Sequence, residues 1–333
     1  GVAIIVAMDP IALRHSSLVM TETLAIFFAT IGLWLLSCGT NGRRLPFLLG
    51  GVVFGLFGLC RPTFLIWAGL IGLAVMLGLL SRPRESKRKN LLNSVLFFSG
   101  ILCILAPWIA RNHQLYGRLI LATTHGGYTL FLGNNDSFYD YLRSGKRSPW
   151  NGENELQETV KKIRKDCQFF SEEWQGVIVD EVKKDRLYYD KAIEVIRRRP
   201  LDFCYACLIR AVRFWCIIPN SSDLESPGQT VIRLGAGIWY GILFAFVWVG
   251  AFQWIQCFVR NPVNRWFLFQ KSLPAILLII AFQGLHLVYW SNMRMRAPLV
   301  VVLALLAVLG TVKGVAVCQT PGALGENENK PRK

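Results

Sequence analysis

Carboxylates and histidines are scarce in this chain of 333 residues: 21 Asp and Glu stand against 37 Lys and Arg, and there are only four His. Cys204 and Cys207 have the spacing of a metal-binding pair, but no second pair and no histidine cluster accompanies them, so they read as helix-packing side chains. Most of the other cysteines (Cys38, Cys60, Cys103, Cys257, Cys318) fall in apolar blocks, where a thiol behaves as a small buried apolar group. No signal peptide can be read, and no internal repeat of the kind that marks transporters is found. What the chain has in abundance is apolar sequence, 53% of its residues, gathered in long blocks rather than periodic stripes. That pattern excludes an ordinary soluble domain and predicts an all-α polytopic membrane protein. The formal net charge of +16 comes from basic residues lying between the apolar blocks. Lipid headgroups or a phosphate-bearing substrate therefore suit it better than nucleic acid.

About seven transmembrane helices are expected, each needing roughly 20 apolar residues. Ser16 to Leu36 is the first complete one, with Glu22 near its front edge. Gly1 falls inside an apolar run too short to span, so the first helix reads as cut or continued upstream. Pro46 to Leu80 should hold two short spans turning at Cys60 to Thr63, because Arg61 is costly in hydrocarbon and Pro62 disfavours helix before it. Gly50, Gly51, Gly55 and Gly58 give the first arm a small-residue face for close helix contact. Leu91 to Ala110, Val231 to Phe258, Ser272 to Trp290 and Pro298 to Val317 complete the set. Domains are expected at 1–110, a truncated N-terminal bundle; 111–229, an extracytoplasmic, mainly helical loop domain; 230–318, a C-terminal bundle; and 319–333, a disordered tail. Within the loop domain Ser171 to Arg199 has helical spacing, and Leu201 to Trp215 reads as an amphipathic surface helix with Arg210 and Arg213 on its polar side.

The short basic loop Ser81 to Asn90 should be cytoplasmic. Arg43 with Arg44, Arg260 to Lys271 and the tail then share its side, whereas Glu22, Arg61, the 111–229 domain and Arg294 with Arg296 share the opposite face. Cations are disfavoured in short loops on that face. A carboxylate at the lip of a membrane helix is by default a functional-site hypothesis, although Glu22 could also be a helix-cap neighbour in the headgroup zone. Arginine suits phosphate through its planar fork of donors. The combination points to chemistry on a lipid phosphate at the membrane surface. His113, His125 and His286 read as hydrogen-bonded structural groups, and Asn220-Ser221-Ser222 fits an N-glycosylation acceptor only as a short pattern.

Four stretches carry a resemblance: SSLVMTETLAIFF, GGVVFGLFGLCRPTFL, PWIARNHQLYGRLILATTHGGYTLFLGNN and HLVYWSNMRMRAPLVVVLALLA. Their order resembles that of the GT-C membrane glycosyltransferases, specifically the bacterial relatives of dolichyl-phosphate-mannose protein mannosyltransferases and of lipid A aminoarabinose transferases. The DRLYYDKAIEVIRRRPLDFCYACLIRAVRFW segment is also similar to the stretch before that family's later helices. The resemblance implies inverting transfer of a sugar from a polyprenyl-phosphate donor to a protein, lipid or glycan acceptor, at the periplasmic face of a bacterial inner membrane. Glu22 would match the family's second loop acid, and Asp9 is an additional catalytic candidate. The family's first-loop acid would lie upstream of Gly1. Arg294, Arg296 and Arg61 are the candidates for donor phosphate, and Arg111, Asn112, Gly126, Gly127 and Asn134 for loop and substrate positioning. No metal ligands are assigned; a divalent cation stays open as a cofactor, since an upstream aspartate could complete a site. The alternatives are a transporter or flippase for an anionic lipid or solute, and a catalytically inactive lipid-phosphate-binding relative.

Overall fold

The computed structural model describes residues 1–18, 20–39, 43–80, 87–144, 150, 152–171, 176–219 and 226–312. Most of the loop from Ser81, the Asn220-Ser221-Ser222 pattern and the tail 319–333 lie outside the described residues. The helices in chain order are α1 (Val2–Ala7), α2 (Pro10–Ser16), α3 (Glu22–Gly39), α4 (Leu45–Cys60), α5 (Thr63–Met76), α6 (Lys87–Tyr116), α7 (Gly126–Gly133), α8 (Asp136–Ser144), α9 (Gly152–Glu155) and α10 (Gln157–Asp166). An antiparallel hairpin of β1 (Gln168–Ser171) and β2 (Gly176–Val179) follows. Then come α11 (Glu181–Arg198), α12 (Pro200–Phe214), α13 (Pro227–Arg260), α14 (Arg265–Val288), a 3-10 segment Met293–Leu299 and α15 (Val300–Thr311).

Among the described residues five helical stretches are long and apolar enough to cross a membrane: α3, α6, α13, α14 and the continuous Met293–Thr311. With this helical content the chain is an all-α membrane protein apart from its small hairpin. The helices α4 and α5 are apolar but shorter, 16 and 14 residues. They are separate because Arg61 adopts extended backbone before Pro62.

Several boundaries differ from those read in the sequence. The run from Ser16 breaks, since α2 ends there and α3 starts at Glu22 itself, whose charge complements the positive end of the helix. The helical stretch read from Ser171 begins only at Glu181, after the strand Gly176–Val179 and an Asp180 cap whose side chain accepts from the Lys183 N–H. Strand wins there because Val177, Ile178 and Val179 are β-branched. The helix α13, 34 residues long, starts at Pro227 because Ser226 as N-cap and Gln229 in its first turn form a reciprocal capping box around that proline.

The main core is aromatic. Phe54, Phe57, Phe64, Trp67, Phe97 and Phe282 are fully buried between α4, α5, α6 and α14, and Trp67 Nε1 donates to the Pro274 carbonyl at 3.0 Å. Two pairs of glycines let helices touch backbone to backbone. A Cβ on Gly51 or Gly100 would collide with the facing main chain of α6 or α4, and Gly250 with Gly310 do the same for α13 and α15. The segments α7 to α12 form a lobe at one end of the bundle, with its own buried residues Leu130, Phe131, Ile163, Tyr188 and Ala192.

Candidate functional site

Glu22 opens α3 and is 1% exposed. Arg61, projected from the break between α4 and α5, donates through Nη2 to Glu22 Oε1 at 2.6 Å and through Nε to Thr21 Oγ1 at 2.7 Å. Arg294 brings its Nε to 3.1 Å from the same Oε1, an ion pair without hydrogen-bond alignment. Its backbone N–H is held by Asn292 Oδ1 at 3.0 Å. Three residues separated widely in sequence thus meet at one end of the bundle, with two guanidinium groups on one carboxylate. Glu22 Oε2 has no hydrogen-bond partner among the described residues.

Asp9 and Arg296 build a second buried cluster. Asp9 caps α2, accepting from the N–H groups of Ile11 and Ala12, each at 3.0 Å, and from the Tyr240 hydroxyl at 3.0 Å. Arg296 is fully buried. It donates through Nη1 to the carbonyls of Cys216 at 2.6 Å and Phe214 at 3.3 Å. Its guanidinium lies over the Tyr240 ring, 4.4 Å from the centroid, and near Phe244 at 5.2 Å.

Between these clusters opens a cavity of about 650 Å³. Its wall includes Arg14 and His15 from α2, Arg213 and Cys216 at the end of α12, Gln229, Arg233 and Tyr240 from α13, and Asn292 with Arg294. Among the described residues four arginines and no carboxylate line it, which suits an anion with hydrogen-bonding oxygens such as a phosphate. His15 is 8% exposed and its Nδ1 has no partner among the described residues.

Of the catalytic, phosphate-binding and positioning candidates named from the sequence, Arg294 alone lines this cavity; Glu22 and Arg61 stand behind it, and Asp9 and Arg296 support its wall through Tyr240 and Cys216. The positioning candidates lie elsewhere. Asn134 is buried and ties α7 to the end of α14, donating to the Val288 carbonyl at 2.9 Å and accepting from Arg210 at 2.8 Å and Tyr139 at 2.9 Å. Gly127 donates its N–H to Asp185 at 2.7 Å, beside Gly126 at the start of α7. Arg111 lies over Trp108 and donates to Asn112, which in turn donates to the Ile120 carbonyl.

Arg14, His15, Arg213 and Arg233 were missed as cavity residues. The first two lie between the apolar run that holds Gly1 and the span read from Ser16, and Arg233 hides inside an apolar span; the only signal was an arginine within hydrocarbon. Among the described residues no group of three His, Cys, Asp or Glu side chains converges. Comparisons with protein-family models, curated proteins and solved structures returned no match to this chain.

Proposed function

We propose that this chain transfers a glycosyl group, with inversion, from a polyprenyl-phosphate sugar to an acceptor at the membrane face that carries α7 to α12. The observation that carries the reading is the arginine-lined cavity placed against Glu22, with Arg294 common to both. The order of sequence motifs resembling GT-C transferases supports it, as does the family's use of a carboxylate beside lipid phosphate. By that resemblance the face is the periplasmic side of a bacterial inner membrane.

In this mechanism the C1–O bond to the phosphate breaks as an acceptor oxygen bonds C1, and negative charge grows on the departing phosphate. Arg294, with Arg14 and Arg213, neutralises that charge in a site whose donors are already in place. Glu22 stands behind Arg294 with its Oε2 buried, and takes the acceptor's proton on that oxygen once the phosphate draws Arg294 into the cavity and opens the way to it.

The test is loss of radiolabelled sugar from polyprenyl-phosphate hexose in membranes containing the protein. Wild type should release polyprenyl phosphate above the vector background, with Arg294→Ala and Glu22→Gln each slowing release at least 100-fold. Equal release by all three would remove both roles.

A further inference from the structure

The helix α12 is amphipathic in the reverse of the usual sense. Its buried side carries Ala206, Arg210 and Phe214, with Arg210 only 1% exposed. Arg210 donates to the carbonyls of Gly133, Leu287 and Val288 and to Asn134 Oδ1, so the expected outward polar side is turned inward. The outward row is Leu201, Tyr205, Leu208 and Val212, at helical spacing and without a charge; Leu201, Leu208 and Val212 are 78%, 67% and 68% exposed. A water-facing helix carries its polar groups on that side.

The direction of α12 says where this row lies. Its first turn is fixed in a charged belt, with Asp202 accepting from Arg143 and Arg199, and Arg199 also paired with Asp136 and Asp140. Further along, Arg210 meets Leu287 and Val288 at the end of α14, Phe214 stacks on His286, and Trp215 Nε1 donates to Gln283 at 2.6 Å. As α12 advances, its contacts on α14 move backwards from Val288 to Gln283, about 7 Å below the helix end. The same depth is reached beside Arg296, four residues into the 3-10 segment that enters the last span. Non-helical backbone at such a depth must be satisfied by protein. Arg296 meets that demand by donating to Phe214 and Cys216, and the Cys216 thiol lies 3.0 Å from the Ile218 carbonyl.

We infer that α12 is a re-entrant half-helix, running from the charged belt down into the bilayer along α14, with Leu208 and Val212 in contact with lipid acyl chains. The occupant of the face is lipid, because the row continues the direction of a spanning helix toward the membrane interior and ends where buried donors cap the backbone. This inference rests on the membrane fold and not on the proposed transferase chemistry.

The experiment uses the full chain in vesicles of phosphatidylethanolamine and phosphatidylglycerol. Leu201, Leu208 and Val212 are replaced one at a time by p-acetylphenylalanine and coupled to a nitroxide, which leaves the native cysteines unlabelled. Relaxation enhancement by oxygen, which concentrates in the acyl region, is compared with that by a water-soluble nickel chelate. The expected result is an oxygen-to-nickel ratio rising at least threefold from Leu201 to Val212. A flat ratio means that α12 lies level in the interface, a ratio favouring nickel throughout means that it faces water, and low values for both reagents mean that protein covers it. Any of these overturns the inference.

Discussion

Removing the Arg61 guanidinium should cost stability through Glu22, and the amount can be worked from the geometry. Glu22 Oε1 is 2.6 Å from Arg61 Nη2, and the two side chains are 1% and 15% exposed. Opposite charges about 4 Å apart between their centres attract by about 4 kcal/mol at an effective dielectric near 20. Desolvation of the carboxylate opposes folding, and Arg294 remains at 3.1 Å to compensate part of the charge that Arg61 abandons. The net coupling between Glu22 and Arg61 should therefore be about 2 kcal/mol, below the roughly 3–5 kcal/mol for breaking a fully isolated buried pair. The cycle of Arg61→Met, Glu22→Gln and the double variant, unfolded reversibly by SDS in bicelles, measures it. A parallel cycle with Arg294→Met should give less, since its Nε is poorly aligned and its side chain is 34% exposed. A coupling to Arg61 under about 0.5 kcal/mol would refute the reasoning, for it would place the pair with screened surface contacts.

Three more outcomes follow. Gly51→Val should destabilise the protein by more than about 3 kcal/mol, because the added side chain meets the backbone of α6; Gly69→Val, with open space around it, is the control, and thermal unfolding in detergent separates the two. Tyr240→Phe removes a buried hydroxyl donor from Asp9 and should cost about 1–3 kcal/mol in the same assay. Hydrogen bonds from Arg143 and then Arg199 hold the Asp202 carboxyl below the usual carboxylate range. Its contribution is therefore complete above about pH 4 and lost as pH falls through the lowered folded-state value. Asp202→Asn should flatten the acid limb of the stability profile, and an unchanged limb would contradict that sign.

The fold was readable where one physical demand dominated. Long apolar runs announced the spans, and Arg61-Pro62 marked the break between α4 and α5, since a cation and a proline both act against helix in hydrocarbon. The pairing of Gly51 with Gly100 was half visible, for the glycine face stood out on α4 but its partner lay on α6. The lobe was harder. Periodicity in α12 showed two faces but not which one turned outward, because a buried arginine such as Arg210 needs carbonyls from Gly133 and Leu287 that only tertiary structure supplies. The hairpin was lost beneath charge patterning that also suits a helix.

The same division runs through the site. Glu22, Arg61 and Arg294 could be grouped because topology put them on one face, and they touch. The cavity could not be grouped, since its other cations come from a two-turn link, the last turn of α12 and the first turns of α13. Arg296 shows the converse, an arginine whose fork serves the backbone of its own fold.

The most direct test of the central claim is binding of a polyprenyl phosphate to the protein in nanodiscs, wild type against Arg14→Ala/Arg213→Ala. Each charge-assisted hydrogen bond lost should cost about 1.5–3 kcal/mol. The account therefore predicts affinity at least 100-fold weaker in the double variant, with the protein still folded and unphosphorylated polyprenol binding equally to both. Equal affinity of the two proteins for the phosphate would contradict it.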